Sequence, residues 1–307
     1  MEFTKEQHDR LALVKLFAHS RHGAFIRKMS PEADRLVPEK QVDPVLKSYK
    51  FTNVYRVLDR TSQGLIRMVN NDKKNGVDEL DVAARIYAYK LFNRLDTWKR
   101  LPAHIAERPF HYCEELFSWA ENEVASYRPV FSRAYLLCTG KPRLPLYMGT
   151  MRKLFSRYRN VETLLESDNV WDRYSLLIQY PGFGEFLAYQ FALDFSYYHC
   201  RMDAYDEFVM PGPGCMRGVT KVLGTPTNKD YAAGLCTYLA TTNYFELQWR
   251  GYPLRGNDIQ NIFCEFDKYS RVAYPSLDLG WNYPTRIKNK YVPNPEPYDI
   301  EWPLGWF

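Results

Sequence analysis

Apolar residues recur three and four positions apart along most of this chain, and few segments alternate with a period of two. The pattern predicts a mainly α protein. Thr4 and Gln7 form a capping box, and Leu11, Val14 and Ala18 follow at helical spacing. Residues 29–46 carry three prolines and read as loop. A long helical segment is expected over 51–70, ending in a polar loop at 70–76. Helices are expected again over 77–95, 109–127, 148–158, 161–167, 170–178, 185–199, 227–249 and 257–270. Residues 136–146 are broken by Gly140, Pro142 and Pro145, and Pro211-Gly212-Pro213-Gly214 reads as a rigid turn. The stretch 275–307, rich in Pro, Tyr, Trp and Asn, is expected as an ordered coil wrapped on the body. No repeat, low-complexity run or flexible linker interrupts the chain. The expected architecture is one compact helical unit with two lobes flanking a groove.

The segment Gln179-Tyr180-Pro181-Gly182-Phe183-Gly184-Glu185-Phe186-Leu187-Ala188-Tyr189-Gln190 is the most informative one. Apolar runs flank it, so it reads as helix, tight hairpin, helix. Pro181 has no amide hydrogen and ends the first helix. Gly182 and Gly184 permit positive φ and close backbone approach. Their bare N–H groups, with the start of the next helix, suit a phosphate. Two readings stand: a DNA-gripping helix-hairpin-helix, with Gly182, Phe183 and Gly184 at the backbone, or a Pro-Gly turn between core helices.

Charge sharpens the first reading. The net charge is +5, and between Phe131 and Asn160 there are seven Lys or Arg and no acid. Arg152, Lys153 and Arg157 in that window are candidate phosphate contacts, against the alternative of a solvated basic face. Aromatic residues make up 16% of the chain, enough to supply base-stacking surfaces as well as core. The six cysteines show no C-x-x-C pair, which argues against zinc or an iron–sulfur cluster and fits reduced thiols in a cytoplasm. No secretory leader opens the chain and no apolar run reaches membrane-spanning length.

Several constellations can carry chemistry. Asn53, Arg56 and Arg60 fall at i, i+3 and i+7, on one face of the expected 51–70 helix; Asn53 and Arg60 are candidate base and anion contacts. Gly212 and Gly214 with Arg217 form a second candidate anion cradle. No G-x-x-x-x-G-K-[ST] occurs, and Thr139-Gly140-Lys141 lacks the glycine spacing, so an ATP-dependent kinase is disfavoured. Asp194, Glu265, Asp267 and Lys268 are polar groups among apolar neighbours. Each is either a satisfied core group or part of a site.

The motifs F-T-N-V-Y-R-V-L-D-R, Y-K-L-F-N-R, P-G-F-G-E-F-L-A-Y-Q, P-G-P-G-C-M-R-G and D-I-Q-N-I-F-C-E-F-D-K-Y, in this order from Phe51 to Tyr269, resemble a phage family. It is that of the α-glutamyl/putrescinyl thymine pyrophosphorylases, or amino acid:DNA transferases. Related helical domains are fused to 5-hydroxymethyluracil DNA kinases. The resemblance implies the fold of helix-hairpin-helix DNA glycosylases. It divides the chain into an N-terminal helix and loop (1–46), a catalytic domain (47–274, with the helix-hairpin-helix at 170–199) and a C-terminal tail (275–307). It also implies a reaction in which an amine, from an amino acid or putrescine, replaces pyrophosphate on 5-hydroxymethyluracil in phage DNA. Asp194, Glu265 and Asp267 would then be candidate bases for the amine, and Arg217 and Lys268 would hold the leaving pyrophosphate. The target base would flip into an aromatic-lined pocket. The expected partners are double-stranded phage DNA carrying the pyrophosphorylated base, and the amine. The setting is the cytoplasm of an infected bacterium. The residues demand no cofactor, and a monovalent or Mg ion has room at the hairpin or the pyrophosphate. The alternatives are a DNA glycosylase, with Asp203 or Asp206 as its acid, and a non-catalytic DNA-binding partner of a 5-hydroxymethyluracil DNA kinase.

Overall fold

A computed structural model describes residues 1–29, 43–132, 143–199, 208–278, 290, 297–304 and 306. In chain order the elements are α1 (Lys5–Met29), α2 (Pro44–Ser48), a 3-10 turn (Arg56–Leu58), α3 (Arg60–Lys74), α4 (Glu79–Phe92), α5 (Leu95–Arg100), α6 (Ala103–Glu107) and α7 (Cys113–Ala125). There follow α8 (Arg143–Phe155), α9 (Tyr158–Glu166), α10 (Val170–Leu177), α11 (Glu185–Phe195), α12 (Pro213–Leu223) and α13 (Lys229–Thr241). A hairpin of β1 (Gln248–Trp249) and β2 (Tyr252–Pro253), then α14 (Gly256–Ala273) and a 3-10 turn (Pro275–Leu277), complete the order. Among the described residues the protein is thus almost wholly helical, as the apolar spacing predicts. No described helix is long and apolar enough to cross a membrane.

The chain divides into two compact units. The first joins Met1–Asp59 to Phe208–Ile300. Its α1 begins at the expected capping box: the Gln7 amide N–H donates to Thr4 Oγ1 (3.3 Å) and the Thr4 amide N–H donates to Gln7 Oε1 (3.1 Å). The α12 and α14 helices make the closest packing in this unit. A Cβ at Gly218 would lie 2.2 Å from the Phe263 carbonyl oxygen, so the two backbones touch. Leu11, Val14, Phe17, Phe263 and Phe266 fill the core beside them.

The second unit comprises Arg60–Glu207 with Glu301–Phe307. At its centre lies α4. Val82, Ala83, Ala84, Ile86, Tyr87, Ala88, Leu91 and Phe92 are all buried, the all-round apolar surface of a helix enclosed by others. The Asp78 carboxylate caps its start and Asn93 ends it in the left-handed region at φ 46°. From the C-terminal stretch, the Glu301 and Leu304 amides donate to Gln63 Oε1 (2.8 Å) and Asn70 Oδ1 (3.1 Å). The rest of the expected wrapping tail lies largely outside the described residues.

Three local expectations are corrected. The 51–70 segment is not one helix: residues 51–59 form an irregular loop and α3 starts at Arg60. Asn53, Arg56 and Arg60 therefore do not share a helical face. The polar run at 70–76 is helical as far as Lys74, because Asn70 and Asp72 are buried with partners instead of solvated. The expected 227–249 helix stops at Thr241, and Trp249 enters a hairpin. Arg250 (φ 50°) and Gly251 (φ 82°) both take positive φ, as a two-residue turn of this hand requires.

Candidate functional site

The loop 51–59, in the first unit, is held by side chains instead of by its own ladder of hydrogen bonds. The Asn53 amide donates to Asp59 Oδ1 (2.9 Å), closing the loop on itself. On α14, Glu265 Oε2 accepts the Thr52 amide (3.0 Å), Asp258 Oδ1 accepts the Arg56 amide (2.8 Å), and Asn261 Nδ2 donates to the Asn53 carbonyl (3.0 Å). From α1, Arg21 donates to the carbonyls of Phe51 (3.0 Å) and Thr52 (2.9 Å) and to Asn53 Oδ1 (2.6 Å). Apart from the neutral Asn261 bond these are charge-assisted, roughly twice as strong as neutral ones, and together they fix an irregular backbone. Burial pushes the Asp59 carboxyl up from its ordinary range and Glu265 adds to that. The Asn53 N–H and the guanidinium groups of Arg21 and Arg56 pull the other way.

An aromatic cluster lies under the loop. The His22 ring packs edge-on against Tyr55 (5.1 Å) and Trp249 (5.3 Å), and Tyr55 packs against Tyr252 (5.8 Å). Burial, reinforced by Arg21 and His19, holds His22 down to about 4, so the imidazole is neutral near pH 7. The Tyr55 hydroxyl, His22 Nε2 and both amide atoms of Asn257 are buried with no hydrogen-bond partner among the described residues. Unmet polar capacity of this kind is rare in a folded interior, and a bound water or ligand group normally accounts for it.

In the second unit, α10 and α11 flank the expected Pro-Gly hairpin. Pro181, Gly182 and Gly184 are exposed, and Phe183 is buried as the anchor of the turn. Gly182 has φ 91°, where a side chain would be strained. Thr150 on α8 donates its hydroxyl to the Pro181 carbonyl (2.7 Å), tying the turn to the basic segment. Lys153, Arg157 and Arg159 are exposed. Arg152 pairs with Glu114, which lowers its net charge toward solvent.

The remaining sequence candidates are placed as follows. Asp194 is buried and pairs with Lys90 (2.8 Å). Glu265 pairs with Lys268 (2.8 Å) as well as holding Thr52. Burial alone would lower the Lys268 pKa, but Glu265 and Cys264 outweigh it and hold the ammonium charged. Asp267 has no exposure and meets Arg217 (2.9 Å), Lys221 (3.2 Å) and Arg271 (2.8 Å). Gly212 and Gly214 are both buried, and a Cβ at Gly214 would fall 2.4 Å from Cys264 Sγ. The expected second anion cradle is therefore closed by helix packing, and Arg217 turns to Asp267. Asp203 and Asp206 lie outside the described residues, as does Thr139-Gly140-Lys141. No group of three or more His, Cys, Asp or Glu that would hold a metal occurs among the described residues.

Periodicity missed Asp59, Arg21 and Asn261 as loop-holding residues. The signal was present, since Asn53 and Asp59 are both turn formers within one short segment, but helical spacing masked it.

The described residues thus present an open Pro-Gly hairpin beside exposed cations in one unit and a braced polar loop in the other. The comparisons place the chain. Residues 9–278 match the family described as 5-hmdU DNA kinase, helical domain, and the chain belongs to that family. Among curated proteins it is similar to a 5-hmdU DNA kinase of Bacillus phage SP10, 22% identical over 286 residues, covering 81% of this chain and 43% of that protein. The chain thus spans less than half the length of that relative. No solved structure matches it. These findings correct the transferase assignment: the motifs belong to the neighbouring kinase-associated family, not to the amino acid:DNA transferases. The amine co-substrate, the pyrophosphorylated base and the base-catalyst roles given to Asp194, Glu265 and Asp267 fall with it. The disfavouring of a kinase is corrected too. A missing Walker loop bears on how a nucleotide is held, not on which reaction the family serves.

Proposed function

We propose that this chain acts in the phosphorylation of 5-hydroxymethyluracil in phage DNA, as the helical, DNA-handling part of a 5-hmdU DNA kinase. The observation that carries this reading is the family match over residues 9–278, supported by the phage relative that bears the kinase name. In the proposed reaction the hydroxymethyl oxygen attacks the terminal phosphorus of a nucleoside triphosphate. The O–P bond forms, the bridging P–O bond breaks, and the hydroxyl proton leaves to a base.

The open hairpin at Gly182–Gly184, with Lys153 and Arg157, is the proposed DNA-backbone contact, and it supports a fold like that of helix-hairpin-helix glycosylases. The target base would flip from the duplex to be reached. The setting would be an infected bacterial cell. The sequence has no Walker loop to mark where a nucleotide would be held. Donor nucleotide and its Mg ion are therefore assigned to no residue here, and this chain's part is to bind the strand and present the hydroxymethyl group.

The test is nucleoside mass spectrometry of 5-hydroxymethyluracil DNA incubated with the protein, ATP and Mg, alone and with the nucleotide-binding proteins of the same phage. One added phosphate on the modified nucleoside is expected. An unchanged profile in every combination, together with no measurable binding to that DNA, overturns the reading.

A further inference from the structure

Three carboxylates hold the 51–59 loop, and they differ in what remains of them. Asp258 gives Oδ1 to the Arg56 amide (2.8 Å) and Oδ2 to the Arg255 amide (3.1 Å). Glu265 gives Oε2 to the Thr52 amide (3.0 Å) and Oε1 to Lys268 (2.8 Å). Asp59 gives Oδ1 to the Asn53 amide (2.9 Å), and no donor among the described residues takes its second oxygen. Asp59 is half-buried as a residue, and its second oxygen is not among the fully buried atoms that lack a partner. It is also oriented: the bond to Asn53, the 3-10 turn Arg56–Leu58 and the Asp59 N–H to the Arg56 carbonyl (3.1 Å) leave the carboxylate little freedom. A fixed, half-desolvated carboxylate oxygen with no partner is a strong acceptor waiting for a donor.

We propose that Asp59 is the specificity-determining acceptor for the hydroxyl of the 5-hydroxymethyl group. This deepens the function proposed above and rests on it. Thymine and 5-hydroxymethyluracil share every group on the ring except this hydroxyl. A protein that must act on one and leave the other needs an acceptor at that point. An acceptor that has been desolvated rejects the analogue lacking the donor, because the carboxylate then stays unpaired. Arg21 on α1 and Arg56 on the loop face the carboxylate as cations, and Glu265 on α14 faces it as an anion. The two cations favour its ionised form against the burial that raises its pKa, and they remain at hand when a phosphate is added to the same oxygen.

The experiment measures binding of the full chain to short single-stranded oligonucleotides identical except for one central base, 5-hydroxymethyluracil or thymine. The wild type is expected to prefer the hydroxymethyl form by about tenfold or more, the worth of one hydrogen bond to a charged acceptor. Asp59→Asn keeps Oδ1 for the Asn53 amide, so the loop closure survives, but the charged acceptor is lost. Its preference is expected to collapse to within about twofold with thymine binding unchanged. A second readout uses the wild type alone: the preference should fade as the pH is lowered and Asp59 takes up a proton, while thymine binding stays level. Selectivity retained in Asp59→Asn, a preference flat with pH, or equal wild-type binding to both oligonucleotides overturns the assignment of Asp59 alone. Failure to bind either oligonucleotide, with no phosphate transfer, overturns the underlying function instead.

Discussion

Two glycine turns with nearly the same lettering do opposite things in this protein. Pro181-Gly182-Phe183-Gly184 opens onto α11 with its glycines exposed and nothing within 4 Å of a Cβ at Gly184. Pro211-Gly212-Pro213-Gly214 opens onto α12 with its glycines buried, and Gly214 and Gly218 bring α12 against α14. In the first the glycines stand exposed to solvent. In the second they let two helices touch. Each turn has a buried carboxylate nearby: Asp194, on the α11 that follows the first, pairs with Lys90, whereas Asp267, on the α14 packed against the α12 that follows the second, pairs with Arg217, Lys221 and Arg271. A glycine turn is thus identified by what its absent Cβ would have met, and neither spacing nor neighbouring cations reveal that.

The largest effect that would test this contrast is at Asp267. Removing the carboxylate takes a buried anion from three cations at once. Asp267→Ala is expected to lose about 3–5 kcal/mol or more, the range for breaking a buried pair, and to lower the yield of folded protein. Asp194→Ala takes the anion from Lys90 alone and should fall at the lower end of that range. The check is urea denaturation of both variants. A smaller loss at Asp267 than at Asp194 would mean that the three cations find other anions, and that the α12–α14 side is less closed than the glycine packing implies.

Much of the helical order could be read from apolar spacing, because α1, α4, α7 and α14 each bury a face or more at that period. What could not be read was set by side chains reaching across the sequence. The 51–59 loop follows helical spacing yet is pulled out of helix by Asp258, Asn261 and Glu265, more than two hundred residues away. In the 70–76 run Asn70 bonds Glu301 and Trp302, and Asp72 bonds Arg85, while Asn71, Lys74 and Asn75 face solvent, so its polarity has two causes. Asp267 and Lys268 were visible as polar residues on an apolar helix, but their partners were not. The family likeness lay in the ordered motifs, and those motifs are shared closely enough between neighbouring families that their order alone led to the wrong reaction.

A smaller and more local test lies at Gly218. Its Cβ would sit 2.2 Å from the Phe263 carbonyl oxygen, a backbone atom that cannot swing away. Gly218→Ala is therefore expected to push α12 off α14 and cost about 1–3 kcal/mol, although alanine is the better helix former. The check is thermal melting against the wild type. A neutral or stabilised variant would show that the helices slide freely, and the closed turn would lose its explanation.

The smallest stability effect is expected at Gly184, and there it is the binding measurement that decides. Its φ is −89°, which any residue adopts, and an added methyl meets nothing. Gly184→Ala should leave stability within about 0.5 kcal/mol, or raise it slightly by restricting the unfolded chain. If the exposed turn receives a phosphate, the same methyl stands where the strand's oxygen must approach, and DNA affinity should drop several-fold for 5-hydroxymethyluracil and thymine strands alike. The Asp59→Asn variant should do the reverse, losing the distinction between bases while general affinity holds. Equal DNA binding by wild type and Gly184→Ala, with stability unchanged, would make the open turn a mere connector and move the strand's contact to Lys153 and Arg157 alone.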